Sequence, residues 1–303
     1  MKKMKVFRAL VALLLAAMMV LPSAVTMADP DPNRSGVEVY DGVAKAYDPD
    51  DRDWEEIGTT KLEGDLTVQN GMPSVIDVQS KNADSSFEVT GSVSGKLEEA
   101  HAASSGISTQ TDPGRITKVE VGGNVASECS EYGTAGAYGI RVDYNHGKTD
   151  VHVAGNVEAA ASSEHEATAT AVYAYTSTDQ NAGNGEENKA SAVTNVNVDG
   201  KAIAAATTIN NEDKCAFENA VMAIAYNEGA ETNVTVGKGA EGQVMAEAKD
   251  GGTVTVEILD GGVQADSPKK YERIPGAAVG TNNTKGTIGI SVTGDVAAEG
   301  GRA

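Results

Sequence analysis

Val119-Glu120-Val121-Gly122-Gly123-Asn124-Val125 returns 32 residues later as Val151-His152-Val153-Ala154-Gly155-Asn156-Val157, with five of the seven positions identical. Alternating apolar residues put every second side chain on one face of a strand. A strand that recurs at intervals marks a chain built by stacking one unit on the next.

Working outward, the same pattern reads as Leu66-x-Val68, Phe87-x-Val89-x-Gly91-x-Val93, Val196-x-Val198-x-Gly200, Val234-x-Val236, Val254-x-Val256 and Ile290-x-Val292-x-Gly294-x-Val296. The residues between the apolar positions (Glu88, Glu120, His152, Asn197, Thr235, Thr255 and Ser291) are all polar, as a water-facing column requires. A second strand precedes each copy: Ile76, Ile140, Ala223 and Val279 each stand 11 residues before Phe87, Val151, Val234 and Ile290. Val172 stands 24 before Val196, and the excess of 13 matches the polar, Gly/Asn-rich stretch 177–189, which reads as an inserted surface loop.

The shortest return, Val234 to Val254, is 20 residues, about one turn of a three-sided β-coil at roughly 3.3 Å per strand residue plus corners. Antiparallel hairpins would instead need short turns between strand pairs. The expectation is therefore an all-β, single-chain parallel β-helix of roughly seven to eight coils over residues 61–303. Glycines 91, 123, 155, 200 and 294 are expected to mark one edge of the tube, where positive φ is tolerated.

Residues 1–28 carry a basic start, a 13-residue apolar run from Ala9 to Leu21 and a Thr26-Met27-Ala28 exit, the layout of a secretory signal peptide. The run is short of the roughly 20 residues that span a bilayer. Removing the leader takes away four of the 24 basic residues and none of the 44 acidic ones, so the net charge moves from −20 to −24. That balance disfavours nucleic acid and anionic membrane surfaces as partners, and no membrane insertion of the mature chain is expected. Cys129 and Cys215 sit two coils apart by this register, roughly 10 Å at about 4.8 Å per strand, beyond disulfide reach without help from loops.

Residues 29–60 read as an N-terminal linker and cap, with Trp54 the candidate lid. The acidic run 48–56 lacks the spacing of a calcium loop and reads as a solvated turn. The sequence stops at Ala303 just after a good strand, where a truncation or a further C-terminal module is expected.

The Val-x-Val-x-Gly-Asn-Val strands at 119–125 and 151–157, with Ala/Thr-rich stretches between them, resemble the right-handed parallel β-helix repeat proteins of bacterial surfaces. Over residues 61–303 the resemblance implies an adhesin-like passenger or stalk. The same fold class includes pectate-lyase-like polysaccharide enzymes, and fold does not decide between them.

The residues themselves point away from catalysis. His101, His146, His152 and His165 show no metal-ligand spacing, and there is no phosphate loop or nucleophile elbow. Neither a metal nor another cofactor is expected. A lyase-type site would need charge around Arg141 and Asp143, outward neighbours whose counterparts one coil on are Tyr173 and Tyr175. Thr168-x-Thr170 occurs once without repetition, which sets aside an ice-binding face.

Tyr175 and Tyr226, placed in one outward column with Asp143, and Tyr173 one row over, are the candidate ligand-binding residues. The expected function is a secreted or cell-surface structural module. It would display the loops 177–189 and 205–216 to a glycan or to a host or cell-surface protein, with a polysaccharide lyase or hydrolase as the alternative.

Overall fold

The computed structural model describes residues 36–48, 53–69, 73–98, 103–131, 133–178, 191–208, 216–266 and 278–299, together with the backbone of 25–26. These residues form no helix, so none is long and apolar enough to cross a membrane. They wind through three sheets in turn, and apart from the two antiparallel strands Val43–Asp48 and Asp53–Glu56 at the N-terminal edge, each strand pairs in parallel with the strand one coil away. Each coil enters by a lead sheet (Leu66–Gln69, Val93–Glu98, Val125–Glu131, Val157–Ser163, Ala202–Thr208, Ala240–Glu241, Val263–Asp266, Val296–Glu299). It crosses a long sheet (Ser74–Ser80, Ala103–Thr111, Thr134–Asn145, Glu166–Ser177, Ala216–Tyr226, Gln243–Lys249, Val279–Thr284). It leaves by a valine sheet (Ser85–Val89, Ile116–Val121, Lys148–Val153, Ala192–Val198, Ala230–Val236, Thr253–Ile258, Thr287–Val292). Seven full turns and the start of an eighth are described. The chain is a parallel β-helix.

The interior rows explain the repeat. Phe87, Val119, Val151, Val196, Val234, Val256 and Ile290 stack in register, as do Val89, Val121, Val153, Val198, Val236, Ile258 and Val292. Apart from the last coil, these side chains are almost wholly buried. Each buried valine contributes about 1.5–3 kcal/mol, so repetition replaces the large aromatic residues of an ordinary core.

Four details differ from the sequence reading. Val234 lies level with Val256, and Val254 with Thr232, so the shortest turn is 22 residues rather than 20. Val221, not Ala223, stacks on Val172, because the Asn227-Glu228-Gly229 corner lengthens this coil by two residues. Leu66-x-Val68 belongs to the lead sheet, stacking under Val93 and Val125. The motif Val-x-Val-x-Gly-Asn-Val is therefore a strand end, a corner and the first residue of the next strand.

The fourth concerns the corner glycines. Among 91, 123, 155, 200 and 294, only Gly294 has positive φ, at 116°. The others are needed for closeness. A Cβ on Gly155 would stand 2.2 Å from Asn124 Oδ1, and one on Gly123 would stand 2.4 Å from Ser92 Oγ. Those side chains form a ladder in which each accepts a backbone N–H from the next coil. Ser92 N donates to Asp65 Oδ1 (2.7 Å), Asn124 N to Ser92 Oγ (3.1 Å), Asn156 N to Asn124 Oδ1 (2.8 Å) and Lys201 N to Asn156 Oδ1 (3.0 Å). The Gly-Asn pair is one device, with asparagine stapling the coils and glycine making room for the staple.

A second ladder runs inside the tube, where the long sheet turns into the valine sheet. Ser85, Thr117, Thr149, Thr194 and Thr232 form one column, two residues before each valine pair. Facing it stand Ser80, Thr111, Asn145 and Thr176. Hydrogen bonds zigzag between the columns: Ser80–Thr117 (2.6 Å), Thr111 to Thr117 (2.6 Å), Thr111–Thr149 (2.7 Å), Asn145 Nδ2 to Thr194 (2.7 Å), Thr176 to Thr194 (2.6 Å) and Thr232 to Thr176 (2.7 Å). The eight residues joined by these bonds are fully buried, so satisfying their polar atoms is obligatory. The spine ends at Thr232. Val254 and Ile288 continue its column, and Ala225 and Ala248 continue the facing one.

On the other side of the tube the lead and long sheets close on each other over Leu97, Cys129 and small alanines such as Ala137, Ala161 and Ala169. Cys129 is buried there, and Cys215 lies outside the described residues.

At the N-terminal end Val37–Tyr40 pairs with Ser74–Ser80, and Val43–Asp48 and Asp53–Glu56 extend that edge antiparallel. Trp54 is not the lid. It sits on the outermost strand, edge-on to buried Tyr47 at 5.6 Å, while Ile57 and Leu62 pack on the core. Val25–Thr26, within the stretch read as a leader, pairs with Leu66–Thr67.

Candidate functional site: the tyrosine face

Outward-pointing residues of the long sheet bring the candidate tyrosines together. Pairing sets Tyr173 level with Arg141 on one side and Met222 on the other. Tyr175 lies level with Ile224, and Tyr226 with Ser177, one outward row beyond Tyr175. The expected single column through Asp143, Tyr175 and Tyr226 is thus staggered, for the same two-residue reason that moved Val221. The rings still meet, with Tyr175 and Tyr226 centroids 5.4 Å apart at 83°.

Two further tyrosines, not singled out from the sequence, complete the face. The strand Thr134–Asn145 carries an extra residue between Val142 and Asn145 relative to its neighbour. That bulge puts Tyr144 in the left-handed region (φ 48°) and pushes its side chain out to 58% exposure. There it packs edge-on to Tyr175 at 5.0 Å, while Tyr138 does the same to Tyr173 at 5.9 Å. The sequence offered the signal of five tyrosines on three consecutive long-sheet strands, but the bulge itself has none.

Charged groups border the rings. Arg141 Nη2 pairs with Asp143 Oδ2 at 2.5 Å, and its guanidinium lies 5.2 Å from the Tyr138 centroid. Tyr226 donates its hydroxyl to Glu247 Oε1 at 2.5 Å, with Lys249 Nζ 5.5 Å from its ring. Three of the phenols are pushed above their ordinary value. Burial first, then the field of Asp143, pushes Tyr173 up to about 12. Burial raises Tyr175, and the bond to Glu247, followed by burial, raises Tyr226. Met222 and Met245 follow Tyr173 along its row, half-buried.

The other candidate groups do not converge. His152 Nε2 lies 3.2 Å from Asp199 on the exposed valine sheet, and His146 Nδ1 lies 2.7 Å from Ser177 O at a corner. His165 sits in the turn after Ser163, and His101 lies outside the described residues. Among the described residues no three His, Cys, Asp or Glu side chains could share a metal ion. Of the display loops, 179–189 and 209–215 lie outside the described residues, while 205–208 and Ala216 belong to strands. No family model, curated protein or solved structure matches this chain.

Proposed function

We propose that this chain is a non-enzymatic, extracellular β-solenoid, an adhesin-like surface module that holds a glycan or protein partner on its tyrosine face. The observation that carries the reading is the set of three edge-on ring contacts joining Tyr138 to Tyr173 and Tyr144 through Tyr175 to Tyr226 on one outward face. Clustered aromatic side chains give large contact area at low entropic cost and dominate recognition surfaces. The basic-then-apolar leader at 1–28 supports export. The rigid stack supplies the presentation, because a loop inserted at a corner leaves the strands in register.

The test is binding of the full chain and of a Tyr144→Ala/Tyr175→Ala variant to arrayed glycans and to immobilised extracellular matrix proteins. Equal responses from both would remove the platform. Turnover of an acidic polysaccharide that disappears in Asp143→Ala would instead establish the enzymatic alternative.

A further inference from the structure

We infer that the tyrosine face takes a cationic segment of a partner polypeptide, its Arg or Lys side chains lying on the rings of Tyr144 and Tyr175 beside the carboxylates of Asp143 and Glu247. This rests on the partner-binding reading above and names the partner's chemistry.

Three observations favour that occupant over a neutral sugar. Consecutive rings stand at 74° and 83° to each other, so they offer stepped faces about one ring apart rather than one flat platform. Stepped faces suit separate cationic heads, whose attraction is to the negative ring face. Next, the chain already uses its tyrosines in this way. Arg141 lies over Tyr138, Lys249 over Tyr226 at 5.5 Å and Lys81 over Tyr40 at 5.4 Å. Between those outer positions, Tyr144 and Tyr175 contact other rings.

The third observation is charge. With 44 acidic against 24 basic residues, the whole molecule attracts a cationic partner from solution. Asp143 and Glu247 each commit one oxygen within the chain, Oδ2 to Arg141 and Oε1 to Tyr226. A carboxylate has two oxygens and about four acceptor positions. Each can therefore accept from an arriving guanidinium or ammonium without surrendering its own contact.

The experiment measures binding of deca-arginine, deca-lysine and a neutral Gly/Ser decapeptide to the immobilised full chain, in parallel with an array of neutral glycans. Wild type should bind the basic peptides and not the neutral one. Tyr144→Ala/Tyr175→Ala should weaken that binding by about tenfold, two exposed cation–π contacts' worth. The ring-keeping Tyr144→Phe/Tyr175→Phe variant should retain it, and so should Glu88→Gln/Glu120→Gln on the far side of the tube.

Basic-peptide binding that the alanine variant leaves unchanged would mean attraction by net charge alone and would overturn the inference. Tyrosine-dependent capture of a neutral glycan, with no tyrosine-dependent peptide binding, would overturn it while leaving the partner-binding reading in place. If no probe distinguishes the alanine variant from wild type, both readings fall.

Discussion

Asn145 is the residue whose loss should be felt most out of proportion to its size. It is fully buried and satisfies three groups at once. Its Nδ2 donates to Val193 O at 2.9 Å and to Thr194 Oγ1 at 2.7 Å, and its Oδ1 accepts Gly147 N–H at 3.0 Å. In Asn145→Ala the buried Gly147 N–H and the Val193 carbonyl lose this partner, while Thr194 keeps its bond from Thr176. The Val193 carbonyl sits within the paired strand, so the Gly147 N–H is the group left exposed to the loss; one buried unsatisfied donor gives an expected cost of about 1–3 kcal/mol. An exposed asparagine, Asn197 on the outside of the valine sheet, should cost under about 0.5 kcal/mol when cut to alanine.

Urea unfolding of both variants, followed by circular dichroism, measures the difference, and amide hydrogen exchange localises it. The Gly147 amide should exchange much faster in Asn145→Ala. In a double-mutant cycle with Thr194→Val, the coupling should be about 1 kcal/mol. A loss below about 1 kcal/mol, with Gly147 still protected, would refute the claim that the inner polar spine holds the coils together.

Three more outcomes follow from the geometry. Gly155→Ala should destabilise by about 1–3 kcal/mol in urea, because its Cβ collides with Asn124 Oδ1 and the Gly123 backbone; Gly155→Asn, which a left-handed site would accept, should fare no better. Phe87→Ala, emptying the widest position of the valine rows, should cost about 3–5 kcal/mol in the same assay.

The third outcome is a pH dependence at the N-terminal edge. Glu38 faces Asp77 across paired strands, and burial raises both carboxyls, with Asp77 adding to the shift on Glu38. Raised folded values mean stability that is full below their ordinary range of 3.8 to 4.5 and lost as pH climbs through the raised values. Asp41, lowered to about 2 by backbone N–H bonds that outweigh its desolvation, acts in the opposite sense only at lower pH. Melting between pH 4 and pH 7 should therefore fall less in Asp77→Asn than in wild type, and equal slopes would exclude this pair as the cause.

The sequence displayed its architecture because the inward valines are set by alternation, and alternation survives any loop length. Register was harder to read wherever apolar residues ran on. Val254-Thr255-Val256-Glu257-Ile258 offers three inward positions, and a two-residue slide keeps every one of them inside. The clue that resolves it is the threonine two places before each pair, at 117, 149, 194 and 232, a residue that alternation already turns inward. Treated as a core position, Thr232 fixes Val234 and Val236 as the pair and so sets Val256 level with Val234. The corner glycines misled for a different reason. Glycine serves both positive φ and tight approach, and only the neighbouring coil shows which need applies. Tyr144 could not have been placed from sequence, since its exposure comes from one extra residue in a single strand.

The end of the inner spine at Thr232 has a mechanical consequence. Up to that level, peeling a coil away breaks side-chain bonds across the corner as well as the ladder between strands. Beyond it, Val254, Ala225 and Ala248 offer only contact, which slides. Tension applied from the C-terminal side should therefore unspool the last coils first, each of 22 to 34 residues and releasing roughly 70–110 Å of chain. The pulling force should then rise sharply where the hydroxyl-bonded coils begin, making one end of the rod a shock absorber for the other.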